Sequence, residues 1–304
     1  MLKLDFDERN LRSLRVFCHV AEAGGFAAAE RRLLMSKASI SRHIRDVEAR
    51  LGVRLCERGP GGFRLTAEGV VALNLATTAL RALARIQPEV DAAHGVLSGP
   101  LSIGLGEHTL THPDCHLPEA LGELHRQAPN VRPEIVVMSF NELNQALHTQ
   151  RIDVAIRGKY SEDRDFNYLP LYVETHRVYV SRNVALARDQ ARLPLVYRSH
   201  PYVERALATG RFERGPEAGG LDAVGALVAT GYYQGLLPTH YGELLQGRYG
   251  LRLAARGVRY SHTGCAVTLA SRPLSHRADL FLHVLRQLHR QPRIAGANNE
   301  GAFP

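Results

Sequence analysis

The chain has 304 residues, 45% of them hydrophobic and 22% charged; at ~100–200 residues per domain this is about two to three globular domains with a sizeable core, not a disordered or fibrous chain. The formal net charge of +8 makes an acidic partner a better fit than a basic one. No run reaches the ~18–20 apolar residues of a membrane span. The opening residues MLKLDFDERN hold no apolar signal segment, and Cys18, Cys56, Cys115 and Cys265 form neither a CxxC pair nor a disulfide framework. Together these features predict a protein of the reducing cytoplasm, with no membrane partner.

In chain order, LRSLRVFCHVAEA places Leu11, Leu14, Phe17, Cys18 and Ala21 on one face of a first helix, which Gly24-Gly25 end. FAAAERRLL restarts a short helix with Phe26, Ala29 and Leu33 inward. MSKAS interrupts it, and a third helix runs to Gly52 with Ser36 as its N-cap. Two short strands, Arg54–Arg58 and Phe63–Leu65, flank a Gly-Pro-Gly-Gly turn. Thr66 caps a long helix in which Val70, Leu73, Thr77, Leu80 and Ala84 recur as a pairing seam does, implying a second copy of the chain. Pro88 is expected to kink or end that helix. GVLSGP, Gly95 to Pro100, reads as a linker. Beyond it βα alternation sets in, with strands at LSIGLG, EIVVMS, DVAIRG, HRVYVSR, LPLVYRS, YQGLLP and CAVTLASR. Helices fall at PEALGELHRQA, ELNQALHTQ, LDAVGALVATG and ADLFLHVLRQLH. This pattern predicts open α/β sheets of parallel type, arranged as two successive systems with a cleft between them.

The charge is uneven. From Arg31 to Arg64 nine basic side chains stand against Asp46, Glu48 and Glu57, the local electrostatic footprint of a nucleic-acid partner. On a wheel of about 3.6 residues per turn, Ile40, Ile44, Val47 and Leu51 form a stripe that packs inward. Ala38, Arg42 and Arg45 lie opposite, flanked by Ser39 and Ser41, with His43 near the buried edge. Guanidinium forks, hydroxyls and a methyl group are what read base edges and phosphates in a major groove. An isolated basic helix is more often a solvated surface. Here a short helix and turn precede it, a basic hairpin follows as a wing would, and a pairing helix comes next, which is the order of a dimeric helix-turn-helix reader.

The stretch FCHVAEAGGFAAAERRLLMSKASISRHIRDVEARLGVRLCERGPGGFRLTAEG resembles, ungapped over about 50 residues, the winged helix-turn-helix of the LysR-type transcriptional regulators. Gly24, Phe26, Ala29, Leu33, Ser36, Ser41, Ile44, Glu48, Leu51, Gly52, Leu55, Glu57, Arg58, Leu65, Thr66 and Gly69 carry the likeness. PLSIG, RIDVAIRG and LVATGYYQGLLP extend it more loosely over most of the rest. The resemblance implies an α/β protein: an N-terminal winged helix-turn-helix (1–65), a linker and dimerisation helix (66–95), and a C-terminal two-subdomain, periplasmic-binding-protein-like effector domain (96–291). A flexible tail (292–304) follows. It further implies a homodimer or homotetramer on double-stranded promoter or operator DNA, with no catalytic residues and no cofactor. In that reading Ser36 caps the reading helix, and Ser39, Ser41, Arg42 and Arg45, with Ala38 beside them, contact bases or phosphates. Lys37, Arg58 and Arg64 contact mainly backbone. The family commonly has Gln-Pro where Lys37-Ala38 stands and Ala where Glu30 stands; Lys37 shifts the balance towards phosphate contact.

Other motifs are weaker. LSIGLGEHT offers a G-x-G after a strand, but the third glycine of a dinucleotide site is missing. In EHTLTHPDCHLP, His108, His112, Cys115 and His116 are metal-friendly side chains. Pro113 and Pro118 prevent one helix from presenting them together, so the loop reads as a polar border of the cleft and no metal site is assigned. By the resemblance, a small-molecule effector, a carboxylate or an aromatic, lies between the subdomains. It would be faced by Glu107, His108 and Thr109, by Ser139, Phe140 and Asn141, by Arg157 as a bidentate carboxylate partner, and by Tyr197, Ser199 and His200. The competing class is a solute-binding or metal-sensing module whose basic head serves another partner.

Overall fold

A computed structural model describes residues 7–59, 62–182, 193–255 and 257–290, without the side chains of Arg58 and Gly59. The expected tail, 292–304, lies outside the described residues. The chain divides into two compact units, the first up to Val96 together with His148–Arg151, the second Leu97–Leu147 and from Ile152 onward.

The first unit opens with α1 (Glu8–Glu22), α2 (Phe26–Leu33) and α3 (Lys37–Leu51). Asp7 caps α1 by accepting from the Asn10 N–H at 2.8 Å, and Ser36 caps α3 by accepting from the Ser39 N–H at 3.2 Å, each worth about 1 kcal/mol. Gly52, at φ 70°, ends α3 in the left-handed region. Leu14, Phe17 and Val20 of α1 pack with Ala29 of α2 and with Ile40, Ile44 and Val47 of α3. Full burial of one such large aliphatic or aromatic side chain contributes about 1.5–3 kcal/mol. A hairpin follows, β1 (Cys56–Gly59) antiparallel to β2 (Gly62–Leu65), in the register Cys56 to Leu65.

The long helix α4 (Ala67–Ala93) is capped by Thr66, whose Oγ1 accepts from the Gly69 N–H at 2.9 Å. Four expectations change here. The helix does not end at Pro88 but continues to Ala93, because so close to the C-terminus proline removes one intrahelical hydrogen bond without a following core to disrupt. Leu73, Thr77 and Leu80, expected on a pairing seam, face the unit's own core instead: Leu73 and Leu80 pack on it, and Thr77 Oγ1 lies 3.8 Å from Cys18 Sγ. The apolar face left to solvent is one step round the helix, at Val71, Leu75, Leu83, Ile86 and Val90. Of these, Leu75, Leu83 and Ile86 line, with Leu11, Leu14 and Leu51, an apolar trough of about 730 Å³. Leu51, expected on the buried stripe of α3, is 38% exposed and belongs to this trough. By length and composition α4 is also apolar enough to cross a membrane, which corrects the expectation that no segment is.

The second unit is built on one mixed sheet of seven strands. These are β3 (Ser98–Leu105), β4 (Asn130–Val137), β5 (Val154–Lys159), β6 (Phe166–Ser181), β9 (Gly235–Pro238), β10 (Leu251–Leu253) and β11 (Arg259–Leu269), with β7 (Leu195–Tyr197) and β8 (Arg214–Glu217) forming a separate parallel pair. Ser98 to Pro100, expected in the linker, already belong to β3 and pair with β4. β3 runs parallel to β4 and β5, whereas β6 and β11 are antiparallel to each other and to their other neighbours. The expected two successive sheets are therefore joined: β6 and β11 pass through both halves of the unit.

Helices α5 (Leu117–Gln127) and α10 (His276–Arg290) bury Leu117, Leu124, Phe281 and Leu285 on Leu101 and Ile103. Helix α6 (Phe140–His148) buries Leu143 and Leu147 on Ile152, Cys265 and Val267. In the other half α8 (Leu221–Ala229) and α9 (Thr239–Tyr249) pack Val224, Val228, Tyr241 and Leu245 around Tyr179. There α7 (Pro201–Ala208) seats Tyr202 and Val203 beside Val178 and Leu195.

Candidate functional site

On α3 the inward stripe of Ile40, Ile44 and Val47 leaves Lys37, Ala38, Arg42 and Arg45 exposed, with Ser39 and Ser41 half-buried beside them. Arg45 lays its Nε along its own helix, donating to the Ser41 carbonyl at 3.3 Å. His43 is tied to the core side by a 2.9 Å contact between its Nδ1 and Ser13 Oγ. Lys37, Arg42 and Arg64 form no ion pair among the described residues, so their charges are available to a polyanion. Glu30 reaches over the turn: its Oε1 accepts from the Lys37 backbone N–H at 3.2 Å. A carboxylate thus sits at the N-terminus of α3, where the helix dipole favours negative charge and where a phosphate would otherwise be attracted. The turn is set by Leu34, in the left-handed region at φ 52° and 92% exposed; nothing in its sequence context marked it as a surface residue beside the reading helix.

The hairpin is held against α3 and α4 by polar contacts. Glu48 Oε1 accepts from the Leu55 N–H at 2.9 Å, and Thr66 Oγ1 donates to the Arg54 carbonyl at 2.7 Å. Gly69 lets the first turn of α4 approach, because a β-carbon there would lie 1.9 Å from the Leu55 carbonyl oxygen. Phe63 meets Phe26 edge-on at 6.0 Å, and Arg64 projects exposed from β2. Arg58 lies on β1 opposite Phe63; its side chain is outside the described residues.

In the second unit a cavity of about 60 Å³ opens where β6 and β11 cross from one half to the other. Of the residues expected to face an effector, Glu107, Thr109, Ser139, Phe140, Arg157 and His200 line it. His108, Asn141, Tyr197 and Ser199 do not. His108 stacks on Tyr241 at 3.8 Å with its Nε2 3.2 Å from Asp222, Asn141 and Ser199 are exposed, and Tyr197 lies under the Arg214 guanidinium at 3.6 Å. Tyr160, Tyr172, Glu174, His176 and Arg198 also line the cavity and were not anticipated. Three of them, Tyr172, Glu174 and His176, stand on the crossing strand β6, whose pairing no local pattern reveals.

Glu107 is engaged within the protein. Its Oε2 accepts from Arg198 Nη1 at 2.9 Å and from the Leu221 N–H at 3.2 Å, at the N-terminus of α8. His200 is locked neutral. Its Nδ1 accepts from the Tyr202 N–H at 3.2 Å, so its Nε2 donates to the Tyr160 hydroxyl at 2.9 Å, and burial, first, then the nearby Arg198 charge hold its pKa well below the ordinary value. Arg157 differs. It is 6% exposed and its Nη1 donates to the Gly158 carbonyl at 2.9 Å. Phe140, Phe166 and Tyr168 surround it at 4.8–5.7 Å, and its Nε has no partner. No carboxylate faces it among the described residues, which leaves a buried guanidinium uncompensated.

The loop histidines do not converge. His112 donates from Nε2 to the Val173 carbonyl at 3.2 Å, accepts at Nδ1 from the Asp114 N–H at 3.1 Å and stacks on Tyr172. His116 meets His289 edge-on at 5.0 Å. The glycine-bearing LSIGLG strand is explained by packing: a β-carbon on Gly104 would lie 2.5 Å from Leu143.

The family profile described as "LysR substrate binding domain" matches residues 94–290, and that of the "Bacterial regulatory helix-turn-helix protein, lysR family" matches residues 11–70. The chain belongs to the LysR family. Among curated LysR-type relatives, the HTH-type transcriptional activator BauR of Pseudomonas aeruginosa is 35% identical over 247 residues, covering 78% of this chain and 80% of BauR. The SDS degradation transcriptional activation protein of a Pseudomonas species is 28% identical over 290 residues, covering 89% and 93%. Among solved structures, the LysR regulator CbnR superposes with a TM-score of 0.64 at 21% identity, covering 92% of this chain and 99% of CbnR. Full-length CbnR in complex with its target DNA gives 0.62 at 21%, covering 91% and 99%. The first unit is thus the DNA-binding head of a LysR-type transcriptional regulator, and the second its effector-binding domain.

Proposed function

We propose that this LysR-type regulator reads double-stranded operator DNA in the cytoplasm as a homodimer or homotetramer, and that its cleft takes a small, compact carboxylate. It acts by binding and not by catalysis. On the head, Arg42, Arg45, Ser39, Ser41 and Ala38 face base edges, while Lys37, Arg58 and Arg64 contact phosphates, with Ser36 holding the start of α3. Leu34, exposed at the turn, lies where it can meet sugars or a thymine methyl. The complex of CbnR with its target DNA supports a duplex partner. The apolar face of α4 supports association of copies, since an exposed patch of this kind marks an interaction surface.

The observation that carries the effector reading is Arg157, a buried guanidinium with an unpartnered Nε and no acidic neighbour among the described residues. An anion supplies what it lacks, and a carboxylate matches its fork. The cavity of about 60 Å³ falls well short of the ~150 Å³ that accommodates benzene, which favours a short carboxylate over an aromatic. The test is a thermal-shift screen of small carboxylates on the full chain and on Arg157→Gln. One or more short acids raise the wild-type midpoint, by mass action, and leave the variant unmoved. An equal shift in both would remove Arg157 from the site.

A further inference from the structure

The crossing strands bring together a donor set that the effector reading does not use. Glu174 and His176 are two apart on β6 and so project from the same face of the sheet. His262 is the direct cross-strand partner of Glu174 on β11, so its β-carbon lies within about 5 Å of that of Glu174. His176 Nδ1 and His262 Nε2 each lie 3.6 Å from Glu174 Oε1, and one donor atom from each of the three residues falls within 4.8 Å of the others. The two 3.6 Å distances to Glu174 Oε1 are too long for good hydrogen bonds. They are close to the ~3.3 Å edge of a tetrahedron drawn with ~2.0–2.1 Å bonds to a metal. His176 is 2% exposed, and its Nδ1 has no hydrogen-bond partner among the described residues.

We propose that Glu174, His176 and His262 bind one first-row divalent transition-metal ion at the floor of the cleft. Two imidazole nitrogens and one carboxylate are an N/O set that suits such ions and leaves positions open. Glu174 and His176 line the cavity, so an open position faces it. The other oxygen of Glu174 has its own support. Thr111 Oγ1 donates to the His108 carbonyl at 2.8 Å, so His240 Nδ1 must donate to Thr111 at 2.8 Å. The Nε2 of His240, 3.4 Å from Glu174 Oε2, then faces that carboxylate as a lone pair unless a cation or a proton stands between. His112 and His200 are not ligands, since both ring nitrogens of each are already committed. The site rests on this donor geometry and is independent of the Arg157 reading.

The test is titration of the tag-free full chain, stripped with chelator, with Zn²⁺ by calorimetry and with Co²⁺ by visible absorption. One equivalent is taken up with a ligand-field spectrum of low coordination number. Glu174→Gln and His262→Asn each weaken uptake by at least the ~10–100-fold that loss of a second-shell partner costs, and Cys115→Ser/His116→Asn leaves it unchanged. Circular dichroism checks each variant, and the isosteric Glu174→Gln carries the test if His262→Asn does not fold. No stoichiometric uptake by the wild type would overturn the proposal, as would uptake unaltered in Glu174→Gln or lost in the loop variant. Because no DNA or carboxylate is present, either result leaves the Arg157 test standing.

Discussion

Glu30 and Lys37 both depart from the common pattern of the LysR head, and they touch: the Glu30 carboxylate accepts from the Lys37 N–H. The contact spans a turn whose left-handed Leu34 no periodicity announces, so the sequence shows two isolated oddities where the fold holds one linked pair. An anion at this helix start competes with phosphate. Glu30→Ala is therefore expected to tighten binding several-fold on all duplexes alike, as read by fluorescence anisotropy on specific and scrambled DNA; weaker binding would show that Glu30 acts only as a cap. Arg42→Ala is expected to lose about 1–3 kcal/mol on the preferred site alone, whereas Arg64→Ala weakens every sequence and lowers the salt slope by about one. Gly69→Ala sets a β-carbon against the Leu55 carbonyl and should cost the head about 1–3 kcal/mol, seen as a lower midpoint of its unfolding transition.

The elements of the head were legible to within two or three residues at their ends (α1 begins at Glu8 and β1 at Cys56), because local chemistry defines them: Ser36 and Thr66 cap, Gly52 stops, and Ile40, Ile44 and Val47 keep the helical period. The pairing face of α4 was not. Leu73, Thr77 and Leu80 have the spacing of a seam, but an apolar helix offers several such stripes, and only packing on α1 decides which one is spent internally. The exposed stripe predicts that Leu75→Glu/Ile86→Glu dissociates the oligomer, measured as a fall in mass by light scattering; an unchanged mass would move the interface elsewhere. In the effector domain, β6 was read only from its second half. Pro170 sits opposite Cys265 where the register shifts against β11, a place where proline is tolerated although it argues against a strand. The short α7 and β8 were missed with the strand β10, as was α9, where Gly242 and Gly247 break the apolar period. Arg157 was legible from DVAIR at a strand end. Glu174, His176 and His262 were not, because E-x-H on one strand means little until the pairing of β6 with β11 supplies the third residue.

At the scale of the whole molecule, the crossing strands hold a cluster of imidazoles that the fold keeps neutral. Burial first, then the crowding of further imidazoles, His200 and His262, and the Arg198 charge, depress His176, and burial with the Arg198 charge depresses His200. Around them stand Glu174, His112, His240 and Glu107. The unfolded chain takes up protons near the ordinary histidine value of about 6.5, while the folded one does not until lower pH. Stability is thus fully present above pH ~6.5 and falls as the pH drops, by up to about 1.4 kcal/mol per pH unit for each histidine. The unfolding midpoint of the effector domain should drop steeply between pH ~7 and ~5; a flat profile would mean that these histidines are already charged in the fold. The central claim, that a basic head reads DNA sequence under the control of this domain, is tested most directly by selection from a random duplex pool with the full-length protein, with and without the carboxylate found by thermal shift. An enriched site with repeated half-sites is expected, lost in Arg42→Ala, whose affinity or spacing changes when the carboxylate is present. Enrichment of no sequence at physiological salt, or a site indifferent to both Arg42 and the carboxylate, would contradict it.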